Sequence, residues 1–334
     1  MTHDTDRAAE RPAERPAERV PDRAGLAPLP DFPVRLTAPD LAPWREGNIG
    51  IPGVWRFAAG SPGPHVVISA VIHGNEIAGA LALSEMLRAG PSPRRGVLTL
   101  IFANLDAFDR FDPANPTASR FAEEDMNRLW EPAVLDGPRQ SLELNRARIL
   151  RPLIEQADVL LDLHSMLWPS DPLILCGPTE KGRRLALELG SPGLVVADHG
   201  HASGRRLIDY DPFVDPDDPR TAILVEAGQH WESATVDAML ETVRGVLAAT
   251  GLGPKLPTAN GARCAEVTMA VTVSSGGFAF TRPFRGGDII RQRNTLIALD
   301  GTLEIRTPHD DCLLVMPSLR PSRGHTAVRL AKFL

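Results

Sequence analysis

His65-Val-Val-Ile-Ser-Ala-Val-Ile72 runs straight into His73-Gly-Asn-Glu76. The first eight residues are a continuous, β-branched apolar run bounded by Pro64 and Gly74, the pattern of a strand buried on both faces. Glu76–Ala89 then reads as a helix, with Ile77, Leu81, Met86 and Leu87 among its apolar positions and Gly90-Pro91 as the stop. The unit repeats along the chain. Strands are expected at Val97–Ala103, Asp158–Leu163, Leu173–Cys176, Leu194–Ala197 and Thr221–Val225. Helices are expected at Ser141–Gln156, bent at Pro152, and at Thr179–Leu189 and Ser233–Ala249. Such alternation predicts an α/β fold: a mixed, largely parallel sheet with helices on both faces, antiparallel strands before residue 65 supplying the mixture.

The pattern changes at the linker 251–257. From Cys264 onward the sequence shows short strands and turns and no helical period. The expected organisation is a tail (1–28), a catalytic domain (29–250) and a small all-β domain (251–334) beside the active-site entrance. The tail repeats Ala-Glu-Arg-Pro, is charged and Pro-rich, and reads as disordered. No apolar segment follows it, so it is not a secretory signal, and the cytoplasm is the expected location.

A chain of 334 residues, 43% hydrophobic, can bury one large core and a satellite. No apolar run approaches the roughly 20 residues of a membrane span. A net charge of −6, with scattered arginines, argues against nucleic acid as the partner. Three widely spaced cysteines, Cys176, Cys264 and Cys312, form no metal or disulfide pattern and read as free thiols. Neither a dinucleotide nor a phosphate-loop glycine motif occurs, and no GxSxG elbow surrounds Ser165.

Three chemistry-bearing groups end three apolar runs: His73 with Glu76, His164 after Val159-Leu-Leu-Asp-Leu, and Glu226 after Ile223-Leu-Val. Sites of open α/β sheets lie at strand ends. A lone histidine there is more often structural, and a bare HxxE is common by chance. The combination points to zinc, which in catalytic sites takes three protein ligands and leaves a position for water. His73, Glu76 and His164 are the candidate ligands. Asp162 shares a strand face with His164 and is a candidate to orient its imidazole. A buried strand should not end in Glu226 without a partner. His199 and His201 fit a polar turn, and His230 a position lining the cleft. The long polar stretch Asn104–Gln140 shows little regular pattern, as a functional loop would, and holds Arg120, Asn127 and Arg128, residue types that recognise carboxylates.

These blocks resemble the aspartoacylase and succinylglutamate desuccinylase family, relatives of the zinc carboxypeptidases. The matching residues are His73-Gly-Asn-Glu76, Asn104 through Arg120-Phe and Asp125-Met-Asn127-Arg128-Leu-Trp130, Asp162-Leu-His164, and Val225-Glu226-Ala-Gly228. The resemblance implies His73, Glu76 and His164 as zinc ligands, Glu226 as general base and proton donor, and Arg120 as the group that polarises the scissile carbonyl. It implies Asn127 and Arg128 as binders of the substrate carboxylate, with a further arginine for which Arg205 and Arg206 are the candidates. Aspartoacylases also use a tyrosine from the C-terminal domain, whereas the single tyrosine here is Tyr210. The implied activity is zinc-dependent hydrolysis of the amide of a small, carboxylate-bearing N-acyl amino acid. A carboxypeptidase-like peptidase, a peptidoglycan amidase and a silent zinc-dependent binding protein stay open as rivals. A homo-oligomer is compatible with the reading.

Overall fold

The apolar runs become the central strands of one sheet. The computed structural model describes residues 32–201, 203–257 and 261–334; the expected tail, 1–28, lies outside them. In chain order the strands are β1 (Val54–Ala58), β2 (His65–Ala70), β3 (Val97–Phe102), β4 (Val159–Met166), β5 (Leu173–Leu175), β6 (Leu194–Ala197) and β7 (Thr221–Gln229). Then come β8 (Arg263–Thr272), β9 (Phe278–Phe280), β10 (Ile289–Ile290), β11 (Leu296–Asp300), β12 (Leu303–Arg306), β13 (Cys312–Val315) and β14 (Thr326–Phe333). The long helices are α1 (Ile77–Ala89), α2 (Leu142–Ile154), α3 (Glu180–Leu189) and α4 (Ser233–Ala249).

Eleven strands form a sheet in the order β1-β3-β2-β4-β7-β5-β6-β8-β14-β13-β10. The block β3-β2-β4-β7 is parallel, β1 joins its edge antiparallel, and β5 reverses direction against β7. The mixed α/β architecture is therefore as expected. A second, three-stranded antiparallel sheet, β12-β11-β9, lies in the C-terminal part. β8, β14, β13 and β10 from that part extend the large sheet beyond β6.

Every residue of β2 is buried, because the sheet is covered on both faces. Over one face pack α1, α3 and α4 through Ile77, Leu83, Leu185, Met239 and Val243. Over the other pack α2, through Leu144, Leu150 and Ile154, and the segment holding Met126, Leu129 and Trp130. A third core, around Phe278, Phe280, Phe284 and Ile297, belongs to the C-terminal strands. Among the described residues no helix is long and apolar enough to cross a membrane.

Two expectations are corrected. His164 and Glu226 do not end their strands: β4 runs on to Met166 and β7 to Gln229, because the two continue to pair past these residues, with a register shift between His164 and Met166. The stretch 104–140 is more regular than its polarity suggests. It holds short helical turns at Leu105–Phe108, Met126–Arg128 and Pro132–Leu135, the first two capped by Asn104 and Asp125 side chains.

Candidate active site

The chain leaves β2 through a strained turn. Val71 has φ +61°, a conformation costly for a β-branched residue. Its carbonyl accepts the Asn104 N–H at 2.9 Å and its side chain is fully buried, so the surroundings hold it there. Gly74 follows, pressed on the Leu105–Phe108 turn: a Cβ there would stand 2.3 Å from the Ala107 carbonyl carbon. The turn delivers His73 and Glu76 side by side. Glu76 is the residue before α1, but its carboxylate does not cap that helix. It faces the imidazoles instead. Oε1 lies 2.6 Å from His73 Nδ1, and Oε2 lies 3.2 Å from His164 Nδ1 while accepting the Ser165 N–H at 2.9 Å.

His73, Glu76 and His164 thus converge, all buried, with one potential ligand atom from each within 4.8 Å of the others. Asp162 Oδ2 lies 2.8 Å from His164 Nε2. A proton shared there leaves His164 Nδ1 as the lone-pair nitrogen facing Glu76 and His73, the tautomer a metal ligand needs. Asp125 stands in the same relation to His73, its Oδ1 3.0 Å from Nε2. The motif quoted from the sequence contained Asp125, but its role could be seen only in three dimensions, 52 residues after His73. A buried carboxylate between two imidazoles, each with its far nitrogen held by an aspartate, fits a divalent cation of borderline softness such as zinc.

The charges reinforce one another. Burial opposes ionisation of Glu76, yet His164 and His73 hold its carboxyl well below the usual range. Burial also opposes the charge on Asp125, which His73, Arg120 and Arg128 overcome, again holding the carboxyl low. Glu226 behaves oppositely. Burial pushes it up to about 8, with Glu76 adding to the push and His164, Arg120 and Arg329 pulling against it. Glu226 sits opposite His164 in the β4–β7 register, on the same face of the sheet, and its Oε2 is buried with no hydrogen-bond partner among the described residues. His230, expected to line the cleft, is buried, with Nδ1 2.7 Å from Ser165 Oγ, and burial lowers it to about 4.

Arg120 reaches the cluster. Its Nη2 lies 2.8 Å from His73 Nε2 and 3.2 Å from Asp125 Oδ2, and its side chain stays 38% exposed, open to an incoming molecule. Asn127 is buried, and its Oδ1 accepts the Leu207 N–H at 2.8 Å, tying the 205–209 segment to the site loop. Arg128 donates from Nε to Ser203 Oγ at 3.2 Å and lies 4.0 Å from Asp125 Oδ2.

The two arginines offered for a further carboxylate contact are committed elsewhere. Arg206 is buried and donates to both oxygens of Asp198 and both of Asp209. Arg205 pairs outward with Glu131 and Asp211. Tyr210 is also turned away, its hydroxyl donating to Glu155 at 2.5 Å and accepting from Arg151 at 2.9 Å. A cation that the sequence reading passed over, Arg329 on β14, is buried against His201 and Asp198. Its only sequence signal is a charge inside the apolar run Ala327-Val-Arg-Leu-Ala331.

Residues 62–184 match the family model of the succinylglutamate desuccinylase/aspartoacylase catalytic domain. No curated protein matches. Among solved structures, a succinylglutamate desuccinylase from Vibrio parahaemolyticus is 17% identical with a TM-score of 0.65, covering 84% of this chain and 86% of its own. An aspartoacylase family protein from Mesorhizobium loti is 20% identical with a TM-score of 0.61, covering 84% and 88%. The ectoine utilization protein EutE of Ruegeria pomeroyi, solved with product bound, is 16% identical with a TM-score of 0.57, covering 83% and 87%. At these identities the structures establish a shared fold. The residues that carried the resemblance between His73 and His164 fall inside the matched segment, which is similar to the succinylglutamate desuccinylase/aspartoacylase catalytic domain.

Proposed function

We propose that the protein is a zinc-dependent deacylase that hydrolyses the amide bond of a small N-acyl amino acid. The observation that carries the reading is Glu226: a buried carboxyl whose Oε2 has no hydrogen-bond partner among the described residues, in register with His164 beside a His–Glu–His group. The family match supports deacylation as the class of reaction. The aspartoacylase and succinylglutamate desuccinylase names of similar structures support an acyl amino acid as the substrate class.

His73, Glu76 and His164 are the residues that would hold the zinc. Bound there, the ion supplies Lewis acidity and makes water a stronger acid. The chain's own groups account for the rest. Glu226 accepts a proton from the attacking water and returns it to the departing amine nitrogen. Arg120, the exposed guanidinium against the cluster, opposes negative charge growing on the carbonyl oxygen. Asn127 and Arg128, on the same loop, hold the substrate carboxylate. Asp162 and Asp125 fix the ring orientations of His164 and His73. Arg205 and Arg206 are left out of the substrate set, because Arg205 pairs with Glu131 and Asp211 and Arg206 with Asp198 and Asp209.

On this reading residues 29–250 act as the catalytic domain, and 251–334 as a smaller domain set beside its entrance. The bridge between Ser170, in the loop after β4, and Gly286 supports that placement, as does the Asp171–Arg285 ion pair.

The test is release of free amine by zinc-loaded protein from a panel of N-acetyl and N-succinyl amino acids, with short peptides alongside. Turnover of the acyl amino acids alone is expected. Turnover of peptides instead would make the protein a peptidase, and tight binding without turnover on any member would make it a binding protein.

A further inference from the structure

Among the described residues, the one carboxylate paired with the buried cation Arg329 is Asp198, which Arg206 also holds. Its side chain is 6% exposed; burial presses hardest against its charge, Asp198 supports it, Arg206 opposes it, and Glu226 and Asp209 add support. The nearest carboxylate, Asp198, lies 3.5 Å from its Nε. Both oxygens of Asp198 already accept from Arg206, at 2.7 and 3.0 Å. What Arg329 touches more closely is a neutral ring: Nη2 lies 2.8 Å from His201 Nε2. Burial, Arg329, Arg128 and Arg206 hold that imidazole far below its ordinary range, so it stays uncharged. Buried charges are ordinarily paired with opposite charge. A neutral imidazole is a weak substitute.

The loop that carries His201 also lies against Arg128. Ser203 Oγ is 3.2 Å from Arg128 Nε, and a Cβ at Gly204 would stand 2.3 Å from the Arg128 carbonyl oxygen. One short loop therefore touches both guanidiniums. Arg329 opposes the charge on Arg128, and it joins Arg120 in drawing the Glu226 carboxyl down, so its field extends to the proposed base.

We propose that Arg329 is a further specificity-determining residue of this site: with Arg128 it receives a carboxylate of the substrate, which takes the place of neutral His201 as the acceptor for Nη2. A planar guanidinium suits a carboxylate because its parallel N–H groups match the two oxygens. The assignment rests on the deacylase reading above and adds a contact from the C-terminal strands to it.

The experiment compares zinc-loaded wild type, Arg329→Met and Arg329→Lys on the best N-acyl amino acid of the panel and on its carboxamide, in which a neutral amide replaces the carboxylate. Arg329→Met is expected to raise KM for the carboxylate substrate on the order of ten- to a hundredfold, the range for losing a charge-assisted hydrogen bond. Its kcat should change far less, and its KM for the carboxamide should stay near that of the wild type. Arg329→Lys should recover part of the loss. An equal loss on both substrates, or none on the carboxylate, overturns the proposal. If Arg329→Met melts early, Arg329→Lys decides: a severalfold rise in KM at unchanged melting temperature is expected, and an unchanged KM overturns it. Should the wild type turn over no N-acyl amino acid, the deacylase reading fails, and calorimetric titration with succinate tests Arg329 separately. Binding by the wild type that Arg329→Met loses upholds the anion contact; equal binding, or none by the wild type, overturns it.

Discussion

Asp162 and His164 stand two residues apart on β4, and the carboxylate lies 2.8 Å from the imidazole Nε2. That contact leaves the Nδ1 lone pair facing Glu76 and the space where His73, Glu76 and His164 converge. Asp162→Asn keeps the shape and removes the charge. It is expected to weaken zinc binding about ten- to a hundredfold, read by competition with a chromophoric chelator. Unchanged affinity would show that the aspartate does not tune the histidine.

Glu226→Gln tests the base. The amide fills the same buried volume but cannot take a proton. Turnover should fall on the order of a hundred- to ten-thousandfold, while zinc content by elemental analysis stays at the wild-type level. Near-normal turnover would assign the base elsewhere.

Zinc should stabilise the fold, because the ligand set assembles only when β2 and β4 are paired. The melting temperature is expected to climb with free zinc, with a stabilisation of about 2.7 kcal/mol at a hundredfold excess over Kd. His164→Ala should flatten that climb. A melting temperature indifferent to zinc and to chelator would argue that no ion sits in the cluster.

Gly74→Ala places a methyl 2.3 Å from the Ala107 carbonyl carbon and 2.5 Å from the Phe108 nitrogen. Both neighbours are backbone, so the clash cannot be relieved by a rotamer change. A loss of about 1–3 kcal/mol in denaturant unfolding is expected, together with lower activity from displacement of His73. Wild-type stability would mean that the Leu105–Phe108 turn yields freely.

Asp300 makes stability depend on acid. Burial works to raise its carboxyl, but the hydroxyls and backbone N–H groups of Ser274 and Ser275 donate to it and bring it down to about 2. The unfolded value is about 3.9. A depressed folded value means that the contribution is complete above about pH 4 and is lost as the pH falls toward about 2. Asp300→Asn should lower stability at neutral pH. The gap between the two proteins in urea should narrow at pH 3; a constant gap would mean that Asp300 does not titrate there.

Much of the scaffold was legible because its signals are short-range. The buried strands announce themselves as unbroken apolar runs, and α4 spans the expected Ser233–Ala249. His73 and Glu76, three residues apart at a strand-to-helix junction, were visible as a pair for the same reason. Strand ends were harder to place. Polar residues such as His164 and Glu226 interrupt an apolar pattern without interrupting the hydrogen bonds between β4 and β7.

Local sequence, then, determined which segments could be strands and helices, and which side chains could bind a metal, since periodicity and residue chemistry act over a few positions. The tertiary structure alone decided how the cations are used. Arg206 is consumed by Asp198 and Asp209, whereas Arg329, more than a hundred residues later, arrives beside His201 and shares Asp198 with Arg206. A charge acquires its role from the partners that chain folding brings within a few ångströms, and those partners are set by strand pairing between β6, β8 and β14 rather than by any neighbour in the sequence.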